Sequence, residues 1–153
     1  MRLTNAPADV LAQALIDAGG GSSPGGSWPI FVWQEVDSPD NCITLYDTVG
    51  TVQGRIQSGG EVIEHPGVQI KVRSSSSALA NEKIRHLQYI VDEVIRQTIV
   101  HVSDPVGTGT EVSSYLIHAV SRSGTILSLG KEVSATKRTI FTLNVTISLT
   151  QLS

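Results

Sequence analysis

The sequence predicts an α+β fold, a mainly antiparallel sheet with an N-terminal helix and one long central helix packed against it. Three observations carry this expectation. Val68-Gln69-Ile70-Lys71-Val72-Arg73 alternates cleanly, with Val68, Ile70 and Val72 on one face and Gln69, Lys71 and Arg73 on the other. Near the C-terminus Phe141, Leu143, Val145, Ile147 and Leu149 alternate with Thr142, Asn144, Thr146 and Ser148. Between these runs Ala80, Ile84, Leu87, Val91 and Val94 recur at intervals of three and four, and Ile90 and Ile95 widen the stripe, the spacing of a helix laid on a sheet.

The elements follow in order. Residues 6–18 form a short helix with Val10, Leu11, Ala14, Leu15 and Ala18 on one side. Asn5 or Thr4 is expected to cap it, and Pro7 is tolerated in the first turn because its missing donor would be unpaired anyway. Gly19-Gly20-Gly21 ends the helix and opens a flexible polar loop over 19–27. Residues 28–33 and 42–46 read as strands separated by the turn cluster Asp37-Ser38-Pro39-Asp40-Asn41. A second long loop, 48–60, is rich in glycine, and loops of this length are commonly functional. A strand region over 62–73 is interrupted at His65-Pro66-Gly67, since proline cannot donate to a ladder. One of Ser75, Ser76 or Ser77 then caps the central helix, 78–96, on the order of 28 Å long at 1.5 Å per residue. Residues 99–102 form a short strand. The last third reads as a meander: 112–120 turns at Ser121-Arg122-Ser123-Gly124 into 125–129, followed by the alternating strand. The expected core comprises Ile84, Leu87 and Val91, Val68, Ile70 and Val72, and Phe141, Leu143 and Val145.

With 153 residues the chain reads as one domain, 1–153, able to bury roughly two thirds of its unfolded surface. Two Phe, two Trp and three Tyr supply little for base stacking, and the net charge of −3 comes with no run of Lys or Arg. Sequence-specific nucleic-acid binding is therefore not expected. No apolar run approaches the roughly 20 residues of a spanning helix, so no membrane role is expected. Asp9 and Asp17 stand where a signal peptide would need an apolar stretch, which reads against secretion. A single cysteine, Cys42, allows no intramolecular disulfide and no multi-cysteine zinc site.

His65, His86, His101 and His118 have no metal-ligand spacing, and His86 four residues after Glu82 reads as a helix-surface pair. Ser134-Ala135-Thr136-Lys137 and Ser128-Leu129-Gly130-Lys131 share the S-x-x-K spacing of some acyl-transfer enzymes, but that chemistry needs the serine at a helix start, and both lie in strand-and-turn sequence. The glycines of 19–26 lack the Gly-Lys-Ser/Thr ending that grips phosphates, and Asp37, Asp40 and Asp47 lack an ordered calcium loop. Asn144-Val145-Thr146 fits a glycosylation acceptor but sits inside a strand. No nucleophile, base and oxyanion set assembles, so the chain is expected to be no enzyme and to need no cofactor or metal. A small ligand-binding or hydrolytic domain using a cleft near 104–110, with His101 or His118, is the alternative from another class.

Two stretches together resemble a family. Asp37-Ser38-Pro39-Asp40-Asn41-Cys42-Ile43-Thr44-Leu45-Tyr46-Asp47-Thr48, followed by His65-Pro66-Gly67-Val68-Gln69-Ile70-Lys71-Val72-Arg73, is similar to the minor capsid or tail-completion proteins of tailed bacteriophages, which resemble the tail terminators of long-tailed phages. The opening helix and the helix after Arg73 sit where that family has them. Where the family commonly carries a glycine after the strand arginine, this chain has Ser74 and three further serines, so its strand-to-helix turn is expected to differ.

The resemblance implies a structural virion protein, assembled in the host cytoplasm and resident at the head-proximal end of the tail. Such proteins form a ring, commonly a hexamer, that caps the tail tube, ends its polymerisation and receives the head. The implied partners are further copies of the chain, the tail tube protein and the head-tail connector protein. A head-completion or neck connector role is the alternative within the class. The residues expected at the subunit or tube interface are Gln69, Lys71 and Arg73 on the outward strand face, with Gln53, Arg55 and Gln57 in the 48–60 loop. Arg73 is preferred among them because its guanidinium makes two-pronged bonds to a carboxylate that lysine cannot reproduce.

Overall fold

The computed structural model describes residues 3–49, 65–103, 112–133 and 137–152. Its order is α1 (Pro7–Asp17), β1 (Ile30–Val32), β2 (Cys42–Thr48), β3 (Gly67–Ser74), α2 (Ser77–Tyr89), a π-helical turn (Ile90–Val94), β4 (Thr98–Ser103), β5 (Val112–Arg122), β6 (Leu127–Lys131) and β7 (Thr139–Gln151). The seven strands form one sheet in the order β1-β2-β3-β7-β5-β4, with β6 also on β7. Among these named strands every pairing is antiparallel except β1 with β2. The predicted α+β class, the mainly antiparallel sheet and the two helices are all present.

The inner face is apolar for the reason the alternation gives. Ile43 pairs with Val72 and Val72 with Phe141, Leu45 with Ile70 and Ile70 with Leu143, so each row presents apolar side chains to one side. Ile84 and Leu87 of α2 and Leu11 and Leu15 of α1 are fully buried against them. α1 touches β1 and β2 at one end of the sheet and β4 at the other, so the sheet curls around it. Of the expected core only Phe141 differs: it is half-buried at the rim.

Several boundaries moved for physical reasons. α1 has no side-chain cap at Ala6; Asp47, on β2, accepts the Ala8 N–H at 3.0 Å instead. Asn5 is buried elsewhere, its N–H donating to Tyr115 Oη at 2.8 Å while the Tyr115 hydroxyl donates to Asn5 Oδ1 at 2.7 Å. The α-helical part of α2 ends at Tyr89, and the wider π turn brings Ile90, Val91 and Ile95 all into the core while Val94 is turned 42% into solvent. The serines explain the strand-to-helix turn. Ser74 Oγ donates to Asn41 Oδ1 at 2.6 Å and accepts the Ser76 N–H, and Ser76 Oγ caps the helix through the Leu79 N–H.

The 19–27 loop is tied down. Lys83 Nζ donates to Gly20 O at 2.8 Å and stands 5.4 Å from the Trp28 ring centroid. A Cβ on Gly20 would come within 2.9 Å of the buried terminal methyls of Ile90 and Leu87, which would have to shift to admit it. The first strand is only three residues long, and β3 starts at Gly67, directly after His65-Pro66; the 62–64 part of the expected strand lies outside the described residues. β6 does not reverse after β5 as the meander predicted. Both strands run antiparallel to β7, Arg122 opposite Val145 and Leu127 opposite Thr142, so β6 continues the line of β5 after a short excursion over 123–126.

Candidate functional site

The outer face of β2, β3 and β7 carries the expected interface residues, and the structure divides them. In one row Tyr46 pairs with Gln69 and Gln69 with Asn144; all three are half-buried. In the next row Lys71 lies between Thr44 and Thr142, and its Nζ reaches Glu35 Oε2 at 2.7 Å. Arg73 is not an outward residue. Its side chain is only 3% exposed, because the 33–41 connection folds across the sheet and covers it. Gln53, Arg55 and Gln57 lie outside the described residues.

Arg73 works inside the chain. Its Nη2 donates to Pro39 O at 2.8 Å, its Nη1 to Glu35 Oε1 at 3.1 Å, and its Nε to Asp40 O at a marginal 3.4 Å. A second arginine, which sequence reasoning did not single out, sits beside it. Arg138 is 5% exposed by side chain and bonds Glu132 through Nε, the Asp37 carbonyl through Nη1 at 2.6 Å, and the Asp37 and Asp40 carboxylates at 3.5 and 3.4 Å. The hydrogen bond to Glu132 raises the Arg138 guanidinium further above its ordinary value. Glu35, Asp37, Arg73, Glu132 and Arg138 together line a shallow pocket on this face. Arg138 stands just ahead of β7, outside its alternating run, so its sequence position gave no cue to its burial.

Both halves of the motif pair therefore meet in space. The Pro39-Asp40-Asn41 turn is gripped by Arg73, Ser74 and Arg138, and Asp47 caps α1 while accepting Trp33 Nε1–H at 2.6 Å. Cys42 lies buried beneath this cluster, and burial pushes its thiol up, away from the reactive thiolate.

The residues weighed for catalysis are dispersed. His65 meets Ser148, His101 meets Ser114 and His118 meets Thr150, each through one ring nitrogen and one hydroxyl at 2.9 Å. His86 lines a shallow pocket of about 150 Å³ with Trp28, Leu79, Glu82 and Lys83. Ser128 and Lys131 lie on a strand, β6, while the other S-x-x-K serine, Ser134, and the 104–110 cleft lie outside the described residues. Among the described residues no three His, Cys, Asp or Glu side chains are grouped to hold a metal ion, and no helix is long and apolar enough to cross a membrane.

Exposed apolar side chains lie on or beside several strands and also on the central helix, where Tyr89 is exposed. Trp33 beside β1, Leu127 and Leu129 on β6, and Ile99 and Val112 on β4 and β5 are each more than half exposed. Compared with protein-family models and with curated proteins, the chain matches none.

Proposed function

We propose that this chain is a non-catalytic assembly subunit of a phage tail, a terminator-like protein whose ring caps the head-proximal end of the tube and receives the head. The single observation that carries the reading is how the motif residues are used. The residues behind the resemblance are tied to one another or to the chain: Arg73 holds the Pro39 and Asp40 carbonyls, Asn41 accepts the Ser74 hydroxyl and Asp47 caps α1, and of these Arg73 borders only a shallow pocket in which it is already paired with Glu35. A fold that commits its distinctive side chains to architecture, with aliphatic and aromatic groups left at its strand edges, suits a building block. A neck connector role uses the same properties and stands as the second reading within the class.

The test has two arms. Purified protein examined by negative-stain microscopy should yield rings, and a phage lacking the protein should make tails of uncontrolled length that do not join heads. A neck role predicts tails of normal length without heads. Protein that stays monomeric both alone and in finished particles defeats the proposal.

A further inference from the structure

We propose that copies of this chain join edge to edge, the open edge of β6 in one copy pairing antiparallel with the open edge of β1 in the next. The inference rests on the ring reading above and supplies its contact surface. Phe31 pairs with Thr44, Thr44 with Lys71, Lys71 with Thr142 and Thr142 with Leu127, an unbroken row across five strands. Its two ends are β1 and β6, and among the described residues neither strand has a further strand beside it. A second copy placed in line with the first therefore brings one open edge against the other.

The strand senses agree. β1 is parallel to β2, and the three steps from β2 to β3, β7 and β6 are each antiparallel, so β1 and β6 of one chain run in opposite directions. A neighbour in the same orientation then pairs antiparallel, the more stable arrangement per residue. On the β1 edge the backbone is turned outward for it. Pro29 and Trp33 bond to β2, so by strand alternation Ile30 and Val32 turn their backbone to the open side; Ser22 takes the Ile30 N–H and leaves Val32 facing out.

The side chains agree as well. Phe31 and Leu127 end the same row and so share the outer face, with Leu127 51% exposed and Trp33 and Leu129 exposed beside them. β6 carries no proline, and its one charge, Lys131, comes after the register shift at Gly130. That shift limits regular pairing to Leu127 and Ser128, a stretch short enough to be met by the three residues of β1. Because the two edges differ, the contact is head-to-tail and can close into a ring.

The experiment uses the double variant Phe31→Cys with Leu127→Cys and a short bismaleimide. Within one chain these positions lie about 19 Å apart, four strand spacings, beyond the linker's reach, and Cys42 is buried. Every product is therefore a link between copies. The expected result is a ladder of multimers from the double variant and none above background from either single variant, with circular dichroism unchanged. In addition Leu127→Lys, at an exposed position, should lower the mass by light scattering to that of the monomer without unfolding the chain. An unlinked double variant that is still oligomeric overturns the edge contact and leaves the ring reading standing. Dimers from Leu127→Cys alone mean that β6 meets its own copy, which overturns head-to-tail pairing. A wild-type monomer overturns the contact and the ring together.

Discussion

Replacing Arg73 by alanine should destabilise the folded chain by about 3 kcal/mol, estimated as two good charge-assisted hydrogen bonds reduced for partial rehydration. The two bonds are those to the Pro39 carbonyl at 2.8 Å and to Glu35 at 3.1 Å; the 3.4 Å contact with Asp40 O adds little. Glu35 is 30% exposed and keeps Lys71, so it recovers part of its solvation, whereas the Pro39 carbonyl beneath the connection loses its donor. In a domain of this size the loss corresponds to a fall in Tm of roughly 6–12 °C. Arg73→Lys keeps the charge but loses the fork, and should cost about 1–2 kcal/mol. Lys71→Ala, which removes only a partly exposed pair, should cost under about 1 kcal/mol. Urea unfolding followed by far-UV circular dichroism measures all three. A cost below about 0.5 kcal/mol for Arg73→Ala, the usual range for surface positions, would mean that the guanidinium does not hold the 33–41 connection on the sheet.

Leu87→Ala, at a fully buried position between α2 and the sheet, should cost about 2–5 kcal/mol in the same assay. Tyr115→Phe leaves the Asn5 N–H and Oδ1 without their shared hydroxyl and should cost about 1–3 kcal/mol. Burial, and secondarily the Asp47 carboxylate, raise the Asp9 pKa in the folded chain. A carboxyl that binds its proton more tightly when folded lowers stability as pH rises through the window between its unfolded and folded pKa. Asp9→Asn should therefore be more stable than wild type at pH 7, with the gain shrinking as pH falls from the raised folded pKa towards the ordinary aspartate value and gone below it; a pH-independent difference would reject this cause. Cys42 should resist a thiol reagent in the native protein and react at the unfolding rate, and rapid labelling without denaturant would contradict its burial.

The sequence by itself determined the elements whose side chains repeat. Val68, Ile70, Val72, Leu143 and Val145 are inward because a strand turns alternate residues to one face, and Ile84 and Leu87 because a helix repeats near 3.6; neither rule needs the rest of the molecule. The cap at Ser76 was legible for the same local reason. What the tertiary structure alone decided depends on residues distant in the chain. Arg73 carries an outward strand position, yet the 33–41 connection buries it, and Arg138 joins it across 98 residues from Asp40. The cap of α1 comes from Asp47, 39 residues away, so the local candidates Asn5 and Thr4 were free for other bonds. The straight run of β6 after β5 was hidden too, since Ser-Arg-Ser-Gly is turn chemistry locally and only pairing with the long β7 keeps its direction. Periodicity specifies a face; which chain segment lies over that face is set by long-range packing, and here that choice turned an expected interface arginine into an internal clamp.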